Sequence, residues 1–270
     1  MIFTYTITLF LIILLLLRFL YLPKKKKYID YVKTDFGYRK NSPLILEKDD
    51  ETLIIVTNPV GTSRIGNNAS QLAIDIVKKK FETTEVSINV PEFLKKACFL
   101  AHRGVSEGMN FNSGGCSFAL IHIHKKQLHY ASVGDIGIYL YQKELRQLNQ
   151  FDLYKYQLRN QVLDQKISEE KLMNNRFKNE LTAYLGHENL RKVTLIQAPI
   201  ILKKNNQLII ATNDVHQTVT QLQIEKILKK KPRHKLEQKM QQLTHLYHNQ
   251  KQINPSKSST PSTVIASKFK

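Results

Sequence analysis

The chain has 270 residues, 42% of them apolar and 23% charged, which is enough for one sizeable hydrophobic core and excludes disorder throughout. Forty-one Lys and Arg against 22 Asp and Glu give a formal net charge of +19, which favours anionic partners. With only Cys98 and Cys116 present, a disulfide scaffold or a zinc ribbon is excluded, and their apolar neighbours predict buried, reduced thiols.

The first segment, Met1 to Leu22, is almost uninterrupted apolar sequence in which only Arg18 is charged. A helix of about 22 residues reaches roughly 33 Å, enough to cross the hydrocarbon core of a bilayer. A cleaved signal peptide is disfavoured because no basic residue precedes the apolar run. We therefore predict a single-pass membrane anchor over residues 1–22 and a basic juxtamembrane linker over residues 23–33.

Four lysines follow the anchor directly: Lys24, Lys25, Lys26 and Lys27. By the positive-inside rule they hold this end of the anchor on the cytoplasmic side, with Arg18 able to extend its side chain to the same surface. The remaining domain, residues 34–270, is then expected in the cytosol.

Residues 52–57 are predicted as a buried strand that ends at Asn58-Pro59, because proline cannot donate to the sheet. Ala69 to Lys80 repeats apolar residues at helical spacing, and Asn67 or Asn68 can cap that helix. A second helix is predicted from Pro91 to about Gly108.

From Cys116 the pattern changes to strands joined by a polar turn at residues 125–127 and a tight turn at residues 134–137. Predicted strands cover residues 116–124, 128–133, 138–141, 193–198, 207–212 and 263–268. Predicted helices cover residues 167–175 and 220–249, the latter interrupted at Pro232. Since strands and helices come in blocks, antiparallel sheets covered by helices are favoured over a doubly wound parallel sheet.

Several motifs, in order, resemble the metal-dependent type 2C serine/threonine protein phosphatase family and together span residues 34 to 268. They are Thr34 to Asn41, Ile55 to Ser70, Ser132-Val133-Gly134-Asp135, Leu208 to Val215, and Thr260 to Ile265. The resemblance implies an α+β fold: a four-layer α-β-β-α sandwich of two antiparallel sheets flanked by helices, here preceded by one transmembrane helix.

The same resemblance implies a two-metal catalytic site, yet this chain departs from it at the matched metal carboxylates. Ser42-Pro43 stands where the family has an acidic pair, and Asn58, Asn213 and Thr260 stand where it has metal-binding aspartates. Asp135 is retained and matches an additional, weaker metal position. Because amides and hydroxyls supply only neutral oxygens, we predict that no binuclear metal centre forms.

The residues of this vestigial site are Arg39, matched to the family's phosphate-binding arginine, together with Asn58, Gly61, Asp135, Asn213 and Thr260. Asn58 and Asn213 could bind a phosphate without cleaving it, helped by Arg39 and Arg64, or could only hydrogen-bond each other. Asp135 could bind a metal, but is expected to stabilise its own turn through backbone hydrogen bonds. His122 and His124 share a strand face; with no third ligand nearby, a solvated or edge face is favoured over a zinc site.

These residues predict a membrane-anchored, cytosolic pseudophosphatase that needs no cofactor and binds another protein, which could be phosphorylated. The alternative is a divergent serine/threonine phosphatase that recruits manganese or magnesium through Asp135, Asp214 and nearby acids such as Asp49, Asp50 or Glu51. A third hypothesis is a membrane-surface electrostatic module, in which basic residues such as the Lys229 to Lys235 cluster contact anionic lipid. Nucleic acid is disfavoured because the sequence contains no recognisable binding motif.

Overall fold

A computed structural model of the chain describes residues 12, 29–35, 43–109, 114–188, 190–230, 235–253 and 263–269. Among the helices in these ranges, none is long and apolar enough to cross a bilayer. The predicted anchor over residues 1–22 lies outside the described residues except for Ile12, as do Arg18 and Lys24, Lys25, Lys26 and Lys27.

Two antiparallel sheets form the centre of the fold. The first sheet has the strand order β1 (Ile29–Asp35), β11 (Thr263–Phe269), β10 (Gln207–Ala211), β6 (Gly137–Tyr141) and β7 (Leu145–Gln147). The second has the order β2 (Leu44–Lys48), β3 (Glu51–Val60), β4 (Gly115–His124), β5 (Gln127–Val133) and β8 (Thr194–Leu195), and β9 (Ile200–Ile201) also pairs with β5.

Helices cover the outer faces of the sheets. Two long helices, α1 (Ser63–Glu82) and α2 (Val90–Gly108), pack on the second sheet. Three helices, α5 (Asn213–Thr218), α6 (Gln221–Lys229) and α7 (Leu236–Ile253), pack on the first. Two shorter helices, α3 (Tyr154–Leu163) and α4 (Glu169–Met173), follow β7.

The core is divided into three apolar layers that match this arrangement. Alternate residues of β3 and β4 point to opposite faces. Leu53 and Leu120 accordingly pack under α1 and α2, whereas Ile54 and Ile121 pack between the two sheets. The third layer lies under α5 to α7 and includes Tyr247. The predicted order of layers, helix, sheet, sheet, helix, is confirmed.

Most predicted elements form, with shifts at their ends. The helix predicted over residues 220–249 is two helices, α6 and α7, and the strand predicted over 193–198 shortens to β8. Residues 29–33, which the sequence assigns to the linker, form part of β1 and pair with β11. Cys98 and Cys116 are buried free thiols, as predicted.

The strand register fixes which turns lie at each end of the sandwich. At one end lie Asn58 of β3, the β5–β6 turn at Gly134 and the end of β10 at Ala211. At the other end lie the β4–β5 turn and the start of β10, where Gln207 pairs with Tyr141. The first of these ends holds the candidate site.

Candidate functional site

Three residues of the predicted vestigial site converge where β3, the β5–β6 turn and α5 meet. Asn58 lies opposite Ser117 in the β3–β4 ladder, and Ser117 Oγ donates to Asp135 Oδ1 over 2.7 Å. Gly137 pairs with Ala211, so the register of β6 and β10 brings Asn213 across from Asp135. The structure thus brings together side chains that are far apart in the sequence.

The other predicted site residues are less central. Gly61 lies in the exposed turn between β3 and α1 with a φ of 91°, a left-handed conformation that glycine tolerates. Arg64 is exposed in the first turn of α1. Arg39 and Thr260 lie outside the described residues.

Asp135 is buried, with 2% of its surface exposed. Its carboxylate accepts the Ser117 hydroxyl, and its backbone N–H lies 3.4 Å from the same Oγ. The described contact of the carboxylate is therefore a side-chain bond to the neighbouring strand, and not the backbone bond within the turn that the sequence suggested. The Asp135 carbonyl oxygen in turn lies 3.0 Å from His216 Nε2.

The turn itself is held by Asp152, a residue that the sequence gave no reason to select. Gly134 N–H donates to Asp152 Oδ2 over 2.7 Å, and Asp152 N–H donates to the Gly134 carbonyl over 2.9 Å. Burial raises the pKa of Asp152 to about 6, and the negative charge of Asp135 adds to the shift. Asp152 belongs to no motif and becomes a neighbour of Asp135 only through the fold.

His216 completes this cluster from the side of α5. Its ring stacks on Phe151 with 4.6 Å between the ring centroids. Burial lowers the pKa of His216, so the ring is neutral at physiological pH. A neutral His216 ring can donate to the Asp135 carbonyl only when its proton is on Nε2, and this hydrogen bond fixes the orientation of the ring.

Asp214 points away from Asp135 and toward α7. Its carboxylate is buried, accepts a hydrogen bond from the Tyr247 hydroxyl and pairs with Lys251 Nζ at 2.9 Å. Burial alone would lower the pKa of Lys251, but hydrogen bonds to Tyr247 and Asp214 outweigh that effect and raise it. Asp214 is thus engaged in the helix layer and is a poor candidate for a metal ligand in the site.

The other acids proposed for an active enzyme lie at the opposite end of the second sheet. Asp49 and Asp50 form the β2–β3 turn, and Glu51 opens β3, seven positions before Asn58. At about 3.3 Å per residue, roughly 23 Å separates Glu51 from Asn58. These acids therefore cannot complete the site.

Glu51 instead lies beside His122, with 3.3 Å between Oε2 and Nε2. The predicted solvated or edge face is wrong for His122, which is fully buried on β4, between β3 and β5. Burial lowers its pKa. Its cross-strand neighbour is His129, which is also buried. Despite this clustering, no group of three or more His, Cys, Asp or Glu within the described ranges is placed to hold a metal ion.

The donor set at the candidate site does not fit a two-metal centre. Asn58 and Asn213 are neutral amides, while the Asp135 and Asp152 carboxylates are bonded to Ser117 and Gly134. Asp35 ends β1 at this end of the first sheet. The neighbouring stretches 36–42 and 254–262 contain no Asp or Glu in the sequence. Hard divalent ions need several carboxylate oxygens to offset dehydration, and the side chains described at this site supply too few.

One further atom in the site is notable. Asn213 Oδ1 is buried and has no hydrogen-bond partner among the described residues. It therefore does not accept a bond from Asn58, so the predicted mutual pairing through this oxygen does not form. A buried acceptor without a partner is costly, and such atoms are uncommon in folded proteins.

Comparison with known proteins confirms the resemblance predicted from the sequence. No protein-family model matches the chain. The serine/threonine phosphatase Stp of Listeria welshimeri is 26% identical over 199 residues, which cover 71% of this chain and 77% of that protein.

Solved structures show the same fold. The S. agalactiae serine/threonine phosphatase superposes with a TM-score of 0.75 at 18% identity, over 90% of this chain and 100% of its own. The catalytic domain of the serine/threonine protein phosphatase PstP, solved in complex with two manganese ions, superposes with a TM-score of 0.65 at 16% identity and covers 89% and 97%. At these identities the match to the structures shows the fold alone.

Proposed function

We propose that this chain, a relative of the type 2C serine/threonine phosphatases that shares their fold, is a non-catalytic phosphatase-like module that binds another protein. The observation that carries the proposal is the pair of neutral amides, Asn58 and Asn213, at the two strand ends that converge on Asp135. A two-metal phosphatase needs charge-balancing carboxylates at such positions, both to hold the ions and to lower the pKa of the attacking water.

A partner protein is favoured because the chain shares the phosphatase fold while the neutral amides Asn58 and Asn213 stand where the resemblance places metal-binding aspartates. Fold is often inherited after activity has changed, so the shared architecture does not imply catalysis. The partner could present a phosphorylated side chain to this end of the sandwich, where Arg64 is exposed.

The second candidate is an active, divergent serine/threonine phosphatase. The comparisons taken alone favour it over the non-catalytic module, because the matched relatives are named serine/threonine phosphatases and one solved structure holds two manganese ions. In this chain such an activity would depend on Asp135 and Asp152, the two acids that lie together at the β5–β6 turn.

Localisation is part of the same proposal. The apolar run from Met1 to Leu22 and the lysines after it support a single-pass anchor with the folded domain on the cytoplasmic side. Carbonate extraction of membranes from cells that express the chain would test this, since release into the soluble fraction argues against an anchor.

The deciding experiment is hydrolysis of a phosphothreonine peptide by the purified full chain with millimolar manganese or magnesium. We expect no metal-dependent turnover and no heat of metal binding by calorimetry. Activity that requires the metal and disappears in Asp135→Ala would overturn the non-catalytic proposal and establish the second candidate. Asp135→Asn serves as the milder companion variant, because an amide can still contact Ser117 if the alanine variant fails to fold.

A further inference from the structure

The end of the sandwich opposite the candidate site is rich in lysine. Its turns and strand ends lie close together, since Leu202 N–H donates to the Lys126 carbonyl over 2.7 Å and Asn205 N–H donates to the Phe269 carbonyl over 2.9 Å. We call this surface the lysine end. Its basic residues, exposed except for the half-buried Lys268, are Lys125, Lys126, Lys143, Lys203, Lys204, Lys229, Lys230 and Lys268.

These lysines come from separate elements that share only this location. They occupy the β4–β5, β6–β7 and β9–β10 turns, the end of α6 and the end of β11. The end of α6 is fixed here because the Leu228 carbonyl accepts hydrogen bonds from Gln207 and from the buried Lys239. A single charged turn is ordinarily a solvated surface, but five elements that contribute lysines to one end produce a sustained positive potential.

The acids at this end of the sandwich are paired, buried or located at its edges. Glu144 lies in the β6–β7 turn and is bonded to Arg146 at 2.7 Å. Glu47, Asp49 and Asp50 lie at one corner, around the β2–β3 turn beside Lys48. Glu51 is nearly buried beside His122, and Asp30 lies opposite Lys268 in the pairing of β1 with β11. The centre of the lysine end, where the β4–β5 and β9–β10 turns meet, is therefore strongly basic.

The chain also enters the fold at this end. Ile29 opens β1 opposite Phe269, and the sequence immediately before it contains four lysines, residues 24–27. Only residues 23–28 separate the predicted anchor from β1. Even fully extended, six residues span at most about 20 Å. If residues 1–22 cross a membrane, the lysine end must stay close to its surface.

We infer that the lysine end docks on the anionic inner leaflet of the membrane and holds the candidate site away from it. The inference rests on the proposed membrane anchor for proximity, and on the described lysines for the contact itself. β3 begins at the lysine end with Glu51 and reaches the candidate site at Asn58. The candidate site therefore lies roughly 23 Å from the lipid surface, open to a cytosolic partner. The domain thus has a defined orientation on the membrane.

The physical basis is electrostatic attraction between lysines and anionic headgroups. One lysine close to an anionic leaflet improves binding about fivefold, and the effect falls off within a Debye length. Docking is therefore expected to require anionic lipid and to weaken as salt concentration rises.

The test uses the full chain in nanodiscs of phosphatidylcholine alone or mixed equally with phosphatidylserine. Lysines are acetylated briefly with a small amine-reactive ester, and the rate at each position is read by mass spectrometry. In discs with phosphatidylserine we expect the lysine-end residues to react at least about fivefold more slowly, the factor that one lysine contact contributes. Lys171, on α4, should react at the same rate in both kinds of disc and serves as an internal reference.

A charge-reversal variant tests whether the lysines make the contact. It carries four substitutions in the two central turns: Lys125→Glu, Lys126→Glu, Lys203→Glu and Lys204→Glu. We expect the remaining lysine-end residues to lose their protection by phosphatidylserine. The matched control carries the same charge change on exposed residues remote from the lysine end and should keep that protection: Lys166→Glu, Lys171→Glu, Arg176→Glu and Lys192→Glu.

The outcomes separate this inference from the proposals on which it rests. A chain that stays in the discs but shows equal lysine reactivity with both lipids overturns the docking inference and leaves the anchor standing. A chain that is absent from phosphatidylcholine discs but binds phosphatidylserine discs in a salt-sensitive way supports the lysine end and contradicts the anchor. The same acetylation measurement is repeated with added RNA. If RNA slows acetylation of the lysine end and phosphatidylserine does not, the surface binds nucleic acid and the inference is overturned.

Discussion

At the scale of single residues, the β5–β6 turn is determined by two aspartates with different surroundings. Asp135 accepts a hydroxyl from the neighbouring strand, whereas Asp152 accepts a backbone N–H from Gly134 within a largely apolar environment. Burial dominates for Asp152 and raises its pKa to about 6, above the value of 3.8 expected for an exposed aspartate.

Asp152 makes the stability of the domain depend on pH in a defined direction. Between about pH 4 and pH 6 the unfolded chain has already released this proton while the folded chain still binds it, so the free energy of unfolding falls as pH rises. Asp152→Asn removes this titration and keeps an acceptor for Gly134. We expect the variant to gain about 1–2 kcal/mol relative to the parent between pH 4.5 and pH 7.

Urea unfolding of parent and variant at both pH values measures the difference. An unchanged pH dependence in Asp152→Asn would show that the raised pKa belongs to another group.

Gly134 lets the β5–β6 turn pack closely against Ser117, and the contacts of Asp135 and Asp152 depend on this packing. Its φ is 94°, and a Cβ at this position would overlap the Ser117 side chain. Gly134→Ala therefore combines backbone strain with a steric clash and should lower the free energy of unfolding by about 2–4 kcal/mol. Gly108→Ala is the control, because that Cβ would meet only the flexible end of Leu72 and should change stability by less than about 1 kcal/mol. Equal losses for both variants in urea unfolding would refute the role given to Gly134.

At the scale of elements, α7 is fixed to the end of β10 by a polar contact in an otherwise apolar layer. Asp214 follows β10 directly, and its buried carboxylate contacts Tyr247 and Lys251 on α7. A residue without a carboxylate at this position could not make that interaction between sheet and helix.

Removal of the Lys251 charge should show how much this contact contributes to the free energy of unfolding. Lys251→Met leaves the Asp214 carboxylate buried beside Tyr247, so we expect a loss of about 2 kcal/mol in the free energy of unfolding. In an Asp214→Asn background, the same lysine substitution should cost less than about 1 kcal/mol, since no buried charge is left unpaired. A double-mutant cycle by urea unfolding gives both numbers, and additive losses would contradict a direct coupling.

The elements that sequence reasoning recovered are those with a long, clear hydrophobic period, such as α1, α2, β4 and β5. The missed ones include β7 and β9, which have three and two residues, and α3, in which only Leu158 is buried. They also include β1, which contains charged residues that are typical of a linker. β1 is a strand because β11 pairs with it along its whole length, and no local pattern reports that partner.

The sequence predicted only part of the candidate site, because only some of its residues belong to a recognisable strand or motif. Asn58, Asp135 and Asn213 follow recognisable strands and carry a motif, so their convergence could be anticipated from the family. Asp152 and His216 carry none, and their contacts with the β5–β6 turn arise only in the folded chain. Asp214 was placed near the right strand end, but its orientation toward α7 depends on packing that the sequence does not display.

At the scale of the whole molecule, metal binding should appear as a change in global stability. A ligand that binds only the folded state stabilises it by about 2.7 kcal/mol at a concentration one hundred times its dissociation constant. With Asn58 and Asn213 at the converging strand ends, we expect millimolar manganese to leave the melting temperature of the parent unchanged.

The paired variant Asn58→Asp/Asn213→Asp provides the positive comparison. Two added carboxylates beside Asp135 repel one another without a cation, so this variant should melt at a lower temperature than the parent and regain stability when manganese is added. Differential scanning calorimetry with and without metal measures both effects. A manganese-induced rise in the parent itself would argue for the catalytic candidate.

The pairing of β1 with β11 also bears on how the protein is made. β11 lies between β1 and β10, so the strand that joins them is supplied by residues 263–269, which are synthesised after both. Until then β1 and β10 present unpaired edges, which are prone to pairing with other chains. If the apolar segment at residues 1–22 enters a membrane during translation, the nascent domain is held at that surface while its first sheet still lacks β11. Emergence of β11 from the ribosome then sets the earliest time at which the first sheet can become complete.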